Sequence, residues 1–401
     1  MSDASGQPAL APTEILELDR IVELDGVRGF ALAMVLWMHC FLLNPTNVLA
    51  RLANSVGGSM FIAIDLFFVL SGFLITGILI RTRESPHRAR NFYVRRVLRI
   101  FPAYYFVVIF TFLIYPIFYE PLREAHLEKE APYFFVYMQN WWYAFHGSKD
   151  SWPGVHHLWS MAIEEQFYLL WPLIVWRTAP ERLGRLCAWI FGVAVALKLV
   201  LLAGGASVDQ VFVATYSRVE GLVAGAGLAA MWQTRGAPRT PRWLRVAGAA
   251  ASLALLFLIF RKSGAKAASP VDVVAHTITA TVAFSWMIYT VVTARPTALI
   301  RGFFRNSVLR FLGRYSYGIY LIHWVVYWQI KYFIMDTFGE REHLSSAVSV
   351  FAGVVIIAVT IVLALTMYHF LEEPVLRLKR YFTSGAHKDG KPPAAQAAVE
   401  T

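Results

Sequence analysis

From residue 28 onward the chain alternates between long apolar runs and short polar breaks, many of them basic. A helix needs about 20 apolar residues to cross the hydrocarbon core of a bilayer. About ten runs approach that length. They cover residues 28–45, 57–80, 97–119, 156–176, 186–203, 209–232, 243–260, 271–293, 313–334 and 344–371. Each predicts a helix, because a backbone in hydrocarbon must satisfy its own hydrogen bonds. Gly, Ser and Pro recur inside the runs, where helices pack closely or kink. The pattern therefore predicts an all-α fold: an integral membrane bundle of about ten transmembrane helices. No repeat period is evident, and neither are the inverted halves of many secondary transporters.

Composition agrees with this pattern. The chain is 57% hydrophobic and only 16% charged, whereas soluble domains carry about 25% charged residues. Mean hydropathy is +0.50. The net charge of +11 would suit nucleic acid, but its distribution argues against that. With the N-terminus in the cytoplasm, Arg81, Arg83, Arg88, Arg95, Arg96 and Arg99 fall on the cytoplasmic side. So do the groups at residues 177–185, 235–245, 295–314 and 377–380, while the opposite loops hold few basic residues. This positive-inside asymmetry predicts an even number of spans with both termini cytoplasmic. Residues 1–20 and 383–401 read as disordered cytoplasmic tails flanking a membrane domain at 21–382. Cys40 and Cys187 lie in apolar runs, so neither a disulfide framework nor a metal cluster is expected. The first twenty residues lack a basic lead into an apolar core, so no cleaved signal peptide is expected.

The most informative spacing lies in LDGVRGFALAMVLWMHC, residues 24–40. Arg28 and His39 are separated by ten residues. Eleven helical steps return almost to the starting direction, so the two side chains share one face, offset by about 16 Å along the axis. Ionisable groups inside a membrane helix are costly and mark functional sites by default. This pair suits a site that holds an anionic handle near its mouth and does proton chemistry further in.

Other runs add candidates. In NFYVRRVLRIFPAYY, Arg96 and Arg99 share a face where the third run enters the membrane. Two guanidinium groups so placed grip phosphates through bidentate bonds, or else they are topological charges among lipid headgroups. In HHLWSMAIEEQFYLLWP, Glu164 and Glu165 point about 100° apart; Ser160 shares a face with Glu164, and Tyr168 with Glu165. Asp65 is a further buried acid, expected to pair with Arg28, to orient His39, or to serve structure alone. Ser316, Tyr320 and His323 follow one helix face that either lines a cavity or forms a packed hydrogen-bond network. Arg218 and Glu220 are two apart, which rules out a direct same-face pair, so each is expected to find a partner elsewhere. The aromatic segment YFFVYMQNWWYAFHG is either an interfacial belt or a surface on which Trp141 and Trp142 stack against a sugar. Phosphate-cradling glycine loops and metal-ligand spacings such as HExxH are missing from the sequence.

Taken together, the motifs resemble the acyltransferase 3 family of multispanning membrane proteins. The matching pieces are LDGVRGFALAMVLWMHC, FFVLSGFLIT, YVRRVLRIFPAYY, HLWSMAIEEQFYLLWP, SRVEGLVAGAG, YSYGIYLIHW and YHFLEEPVLRLKR, in the family's order over nearly all of residues 20–382. The resemblance implies transfer of an acetyl or other short acyl group from acyl-CoA to a hydroxyl of a carbohydrate, glycolipid or cell-envelope glycan. It places the family's Arg-x10-His motif on Arg28 and His39, its Arg-x-x-Arg motif on Arg96 and Arg99, and its paired acids on Glu164 and Glu165. One departure is visible: Glu220 stands where Asp is common. The resemblance also implies a multi-pass protein of the bacterial cytoplasmic (inner) membrane, with membrane lipids, acyl-CoA (acetyl-CoA above all) and a carbohydrate or lipid-linked acceptor as partners. No nucleic acid and no metal are expected. Some relatives carry a C-terminal hydrolase-like domain. This chain stops soon after the last run, so a stand-alone form or a separate periplasmic partner is expected.

In this reading Arg28, Arg96 and Arg99 hold the CoA phosphates and His39 accepts the proton of the acceptor hydroxyl. Glu164, Glu165 or Asp65 fixes the imidazole tautomer. The alternative is a proton-coupled transporter, in which His39 and the acids relay protons and Arg28 anchors a small anionic or sugar substrate. A non-catalytic scaffold is a third class, disfavoured because it has no need of buried ionisable groups on several helices.

Overall fold

The computed structural model describes residues 21–41, 54, 56–118, 127–147, 152–235, 242–261, 270–338 and 346–382. Among these residues the fold is helical and contains no strand. The two expected tails, at 1–20 and in the last residues from 383, lie outside the described residues.

The helices that frame the candidate site are α1 (Val22–Cys40), α2 (Ala63–Arg81) and α3 (Arg88–Ile109), with α3 continuing through a wide π-turn at Phe110–Ile114. A short amphipathic helix, α4 (Gln139–His146), precedes α5 (Trp159–Arg177) and α6 (Pro180–Ala203). Next come α7 (Val208–Val213), α8 (Glu220–Arg235), α9 (Arg242–Arg261) and α10 (Pro270–Thr293). Short α11 (Leu299–Phe304) and α12 (Ser307–Arg314) lead into α13 (Ser316–Phe338) and α14 (Ser346–Met367). Local chemistry sets several starts. Pro180 occupies the first turn of α6. A Ser207–Gln210 capping box opens α7, and the Asn306 side chain accepts from the Val308 and Leu309 amides to open α12.

Five helical stretches among the described residues are long and apolar enough to cross a membrane: Val56–Arg81, Arg88–Ile117, Pro180–Ala203, Val274–Thr293 and Val348–Tyr381. The helix α1 carries Glu23, Asp25 and Arg28 in its first two turns, which shortens its apolar length. The run at 209–232 is not one helix. It breaks at Ala214 and at Val219, leaving α7, a single turn at Thr215–Arg218, and α8.

Close backbone contact holds the centre. Gly72 on α2 faces the Leu222 carbonyl, and Gly225 on α8 faces the Val69 carbonyl, both too near for any Cβ. Gly221 and Gly225 form the Gly-x-x-x-Gly spacing that lets membrane helices approach closely. This contact brings Asp65 and Phe68 of α2 beside the break that precedes α8. Filling it should therefore be costly. Gly225→Leu is expected to lower stability by about 1 to 3 kcal/mol or more through overpacking, read as a fall in the unfolding temperature of the purified protein in detergent. An unchanged temperature would contradict the packing described.

Candidate active site

A cavity of about 520 Å³ opens between α1, α2, α3, α5 and α13. Arg28 of α1, Arg96 and Arg99 of α3, and Glu164 and Glu165 of α5 all line it. Sequence spacing thus located five residues that the fold brings to one chamber. Its basic end adds Arg81, Arg88, Arg95 and Lys379. At the other end the lining reaches Phe67, Ser160 and Tyr320.

The cations of this chamber differ in what neutralises them. The Arg28 guanidinium donates to Asp25 at 3.1 Å. Arg96 lies over the Tyr168 ring, 4.7 Å from its centroid. Neither Arg96 nor Arg99 has a carboxylate ion-pair partner among the described residues, and Arg95 and Lys379 have none either. Arg83, just outside the chamber, has a structural use: it donates to the Thr178 carbonyl at 2.7 Å and the Trp176 carbonyl at 3.1 Å, closing the C-terminus of α5.

Glu164 and Glu165 share the cavity but not their hydrogen-bond partners. Glu164 accepts from the Ser71 and Tyr168 hydroxyls, each at 3.1 Å. Glu165 has no direct ion pair with Arg96 but interacts with it electrostatically, as Glu164 also does. Both adjacent carboxylates line the one chamber.

Asp65 is elsewhere. Its carboxylate lies 3.0 Å from Arg218, and Arg218 in turn lies 3.5 Å from Glu220, which accepts from Lys198 at 2.6 Å. These four side chains are at most 1% exposed. Phe212, Phe68 and Trp159 surround the Arg218 guanidinium. Asp65 therefore pairs neither with Arg28 nor with His39, and its placement is that of a structural ion pair. The spacing argument against an Arg218–Glu220 contact also fails, because Val219 interrupts the helix between them. Lys198 was missed, although a lone cation within the apolar run of α6 is the same kind of signal that marked Asp65.

His39 does not line the cavity. It lies beyond Tyr320, where its Nδ1 is 2.9 Å from Nε2 of His323. Trp324 covers its ring at 3.9 Å between centroids. No carboxylate of the described residues holds this imidazole, so the orienting role expected of Glu164, Glu165 or Asp65 falls to another group. Between His39 and the cavity stands a polar knot. The Ser160 and Tyr320 hydroxyls are 2.7 Å apart, and both reach the His157 carbonyl, at 3.2 and 3.0 Å. The Tyr320 carbonyl accepts from His157 Nε2–H at 2.9 Å and from His323 Nδ1–H at 2.7 Å. The face of α13 thus does both things open to it: Ser316 and Tyr320 line the cavity, and His323 is packed in the network. His157, within HHLWS, is a member of this network that spacing alone did not single out.

Trp141 and Trp142 are also outside the cavity. Trp141 donates to Gln166 Oε1 at 3.2 Å and packs against Phe145 and Tyr216. Trp142 stacks on His146 at 3.9 Å and meets Tyr133 at 5.0 Å. No group of His, Cys, Asp and Glu among the described residues is arranged to hold a metal ion.

Comparison with known proteins now bears on this geometry. The family model described as an acyltransferase domain matches residues 21–368. The chain belongs to the acyltransferase 3 family. Among its relatives, the peptidoglycan O-acetyltransferase OatA of Listeria monocytogenes is 29% identical over 369 residues, covering 88% of this chain and 56% of the relative. The putative peptidoglycan O-acetyltransferase YrhL of Bacillus subtilis is 31% identical over 368 residues, covering 88% and 54%. The O-acetyltransferase OatA of Staphylococcus aureus is 24% identical, covering 88% and 56%. The chain spans about half the length of these curated relatives. No solved structure matches it.

Arg218 and Arg99 should respond oppositely to neutralisation. Arg218→Gln leaves Asp65 without its partner and is expected to cost about 3 to 5 kcal/mol. Arg99→Gln removes a charge that has no direct ion-pair partner among the described residues and is expected to leave the unfolding temperature of the ligand-free protein unchanged or raised. Similar losses in both variants would contradict the distinction.

Proposed function

We propose that this protein is a membrane O-acetyltransferase that moves an acetyl group from acetyl-CoA to a hydroxyl of a cell-envelope glycan. The observation that carries the reading is the group of cations without carboxylate partners at the basic end of the cavity. Guanidinium groups gathered on one cavity wall without direct ion-pair partners favour the binding of an anion. The phosphates of a CoA thioester have the matching charge and geometry, with Arg96 and Arg99 as bidentate donors and Arg28 beside them. The extended pantetheine arm then runs along the chamber toward Tyr320 and the histidines behind it. Membership of the acyltransferase 3 family supports the reaction class, and the relatives named as peptidoglycan O-acetyltransferases support a glycan acceptor.

The chemistry balances without a cofactor. His39 Nε2 accepts the proton of the acceptor hydroxyl as its oxygen attacks the thioester carbonyl. The C–S bond breaks as the C–O bond forms, and the departing thiolate takes the proton back from the imidazolium. Glu164, held by Ser71 and Tyr168, sets the charge balance of the chamber around Arg28 and Arg96. Both termini are placed in the cytoplasm, with about ten spans, which opens the basic end of the cavity to the cytoplasm. His39, half-buried at the other end of α1, is then the group nearest an acceptor arriving from the outer face, where Trp141 and Trp142 also lie. A bacterial inner-membrane location and a separate periplasmic partner for the acetylated product fit this arrangement.

A proton-coupled carrier is the weaker reading, because Asp65 and Glu220 are committed to Arg218 and Lys198 and are not free to relay protons.

Two outcomes test the proposal. His39→Ala is expected to lower transfer from acetyl-CoA by about 10² to 10⁴ while leaving the unfolding temperature near wild type; near-normal turnover removes His39 as the base. Arg96→Lys and Arg99→Lys keep the charge but lose the planar fork, so each is expected to weaken CoA binding measured by calorimetry. Unchanged affinity in both would make these arginines topological charges only.

A further inference from the structure

We propose that His323 is a positioning residue for the transfer: it holds His39 in the one neutral tautomer that leaves Nε2 bare. The inference rests on the reading of His39 as the base and adds to it the group that prepares it.

The argument follows from donors and acceptors. A backbone carbonyl only accepts, so the imidazole nitrogen 2.7 Å from the Tyr320 oxygen, His323 Nδ1, carries the proton. A neutral imidazole has one protonated nitrogen, so His323 Nε2 is an acceptor. Its partner at 2.9 Å is His39 Nδ1, which must donate. The proton of neutral His39 is therefore on Nδ1, and Nε2 keeps a free lone pair. A proton on His39 Nε2 would set two bare nitrogens against each other at 2.9 Å.

The surroundings make this chain of assignments rigid. His323 is fully buried. Its ring lies edge to edge with that of His39, centroids 5.1 Å apart and planes 11° apart, and meets the edge of His157 at 4.8 Å. His157 donates to the same Tyr320 carbonyl, so one peptide oxygen at the cavity's inner wall fixes two imidazoles. Catalytic histidines are commonly oriented by a carboxylate or a carbonyl. Here the carbonyl acts through a second imidazole, which lets a neutral group of low hydration cost take the place a carboxylate would need to be paired to occupy.

The test uses the full chain in lipid nanodiscs. In protein labelled with 15N-histidine, with His39→Ala serving to assign the signals, His39 is expected to show a protonated Nδ1 and a bare Nε2. In His323→Leu that preference should be lost, giving a mixture of tautomers or the opposite one; an unchanged tautomer overturns the proposal. Kinetics with acetyl-CoA and a β-1,4-linked N-acetylglucosamine tetramer as acceptor probe provide the second arm. In His323→Leu, kcat is expected to fall about 10- to 100-fold with KM for acetyl-CoA little changed. His323→Gln, whose side-chain oxygen can accept from His39 Nδ1–H, should recover most of the loss. A rise in KM at constant kcat would make His323 a binding residue, and a Gln variant no better than Leu would make it a packing residue; either overturns the proposal. Turnover surviving in His39→Ala would instead sink the base reading and leave the tautomer result standing. If the tetramer is not acetylated by the wild type, the tautomer arm decides.

Discussion

A charge inside a membrane bundle must be neutralised by something, and the organisation of this molecule follows from where the neutralising groups are. Around Arg218 they are built in: Asp65, Glu220 and Lys198 close a buried network of two cations and two anions, caged by aromatic rings. Around Arg95, Arg96, Arg99 and Lys379 no carboxylate ion-pair partner is present among the described residues, and the cations face a cavity. The first group is finished as folded. The second is left without direct ion pairs, and in the proposed function an anion from outside completes it.

The finished group also explains why the cavity keeps its shape. Asp65 is on α2, Arg218 and Glu220 flank the break before α8, and Lys198 is on α6. Their pairing and the Gly72–Gly225 backbone contact act on the same interface, so α2 is pinned from two directions. That helix supplies Phe67 and Ser71 to the cavity wall, and Ser71 in turn holds Glu164. A structural ion pair on one side of α2 thus positions a carboxylate on its other side.

Much of this was legible in the sequence, and the rest was hidden for physical reasons. The stretches 57–80, 97–119, 186–203, 271–293 and 344–371 correspond to helices long and apolar enough to cross a membrane, because continuous apolarity is itself the signal. The break at Val219 was not visible, since neither Ala214 nor Val219 is a residue that stops a helix. Periodicity placed Arg28, Arg96, Arg99, Glu164 and Glu165 on usable faces, but it could not say which distant helix each face meets. Asp65 found Arg218, and His39 found His323 across 284 residues, through tertiary packing alone. Tyr320 and His323 share a helical face, yet one lines the cavity and the other lies behind it, because the cavity ends between successive turns of α13.

In the proposed function, the cations without ion-pair partners mark the donor's entrance at one membrane face and His39 marks the acceptor's approach from the other. Proteoliposomes of known orientation, sealed to charged solutes, test it most directly. Acetyl-CoA should be consumed only when supplied at the face bearing Arg96 and Arg99, and a membrane-impermeant glycan acceptor should be acetylated when supplied at the opposite face. Acetylation only when donor and acceptor share the arginine face would contradict it.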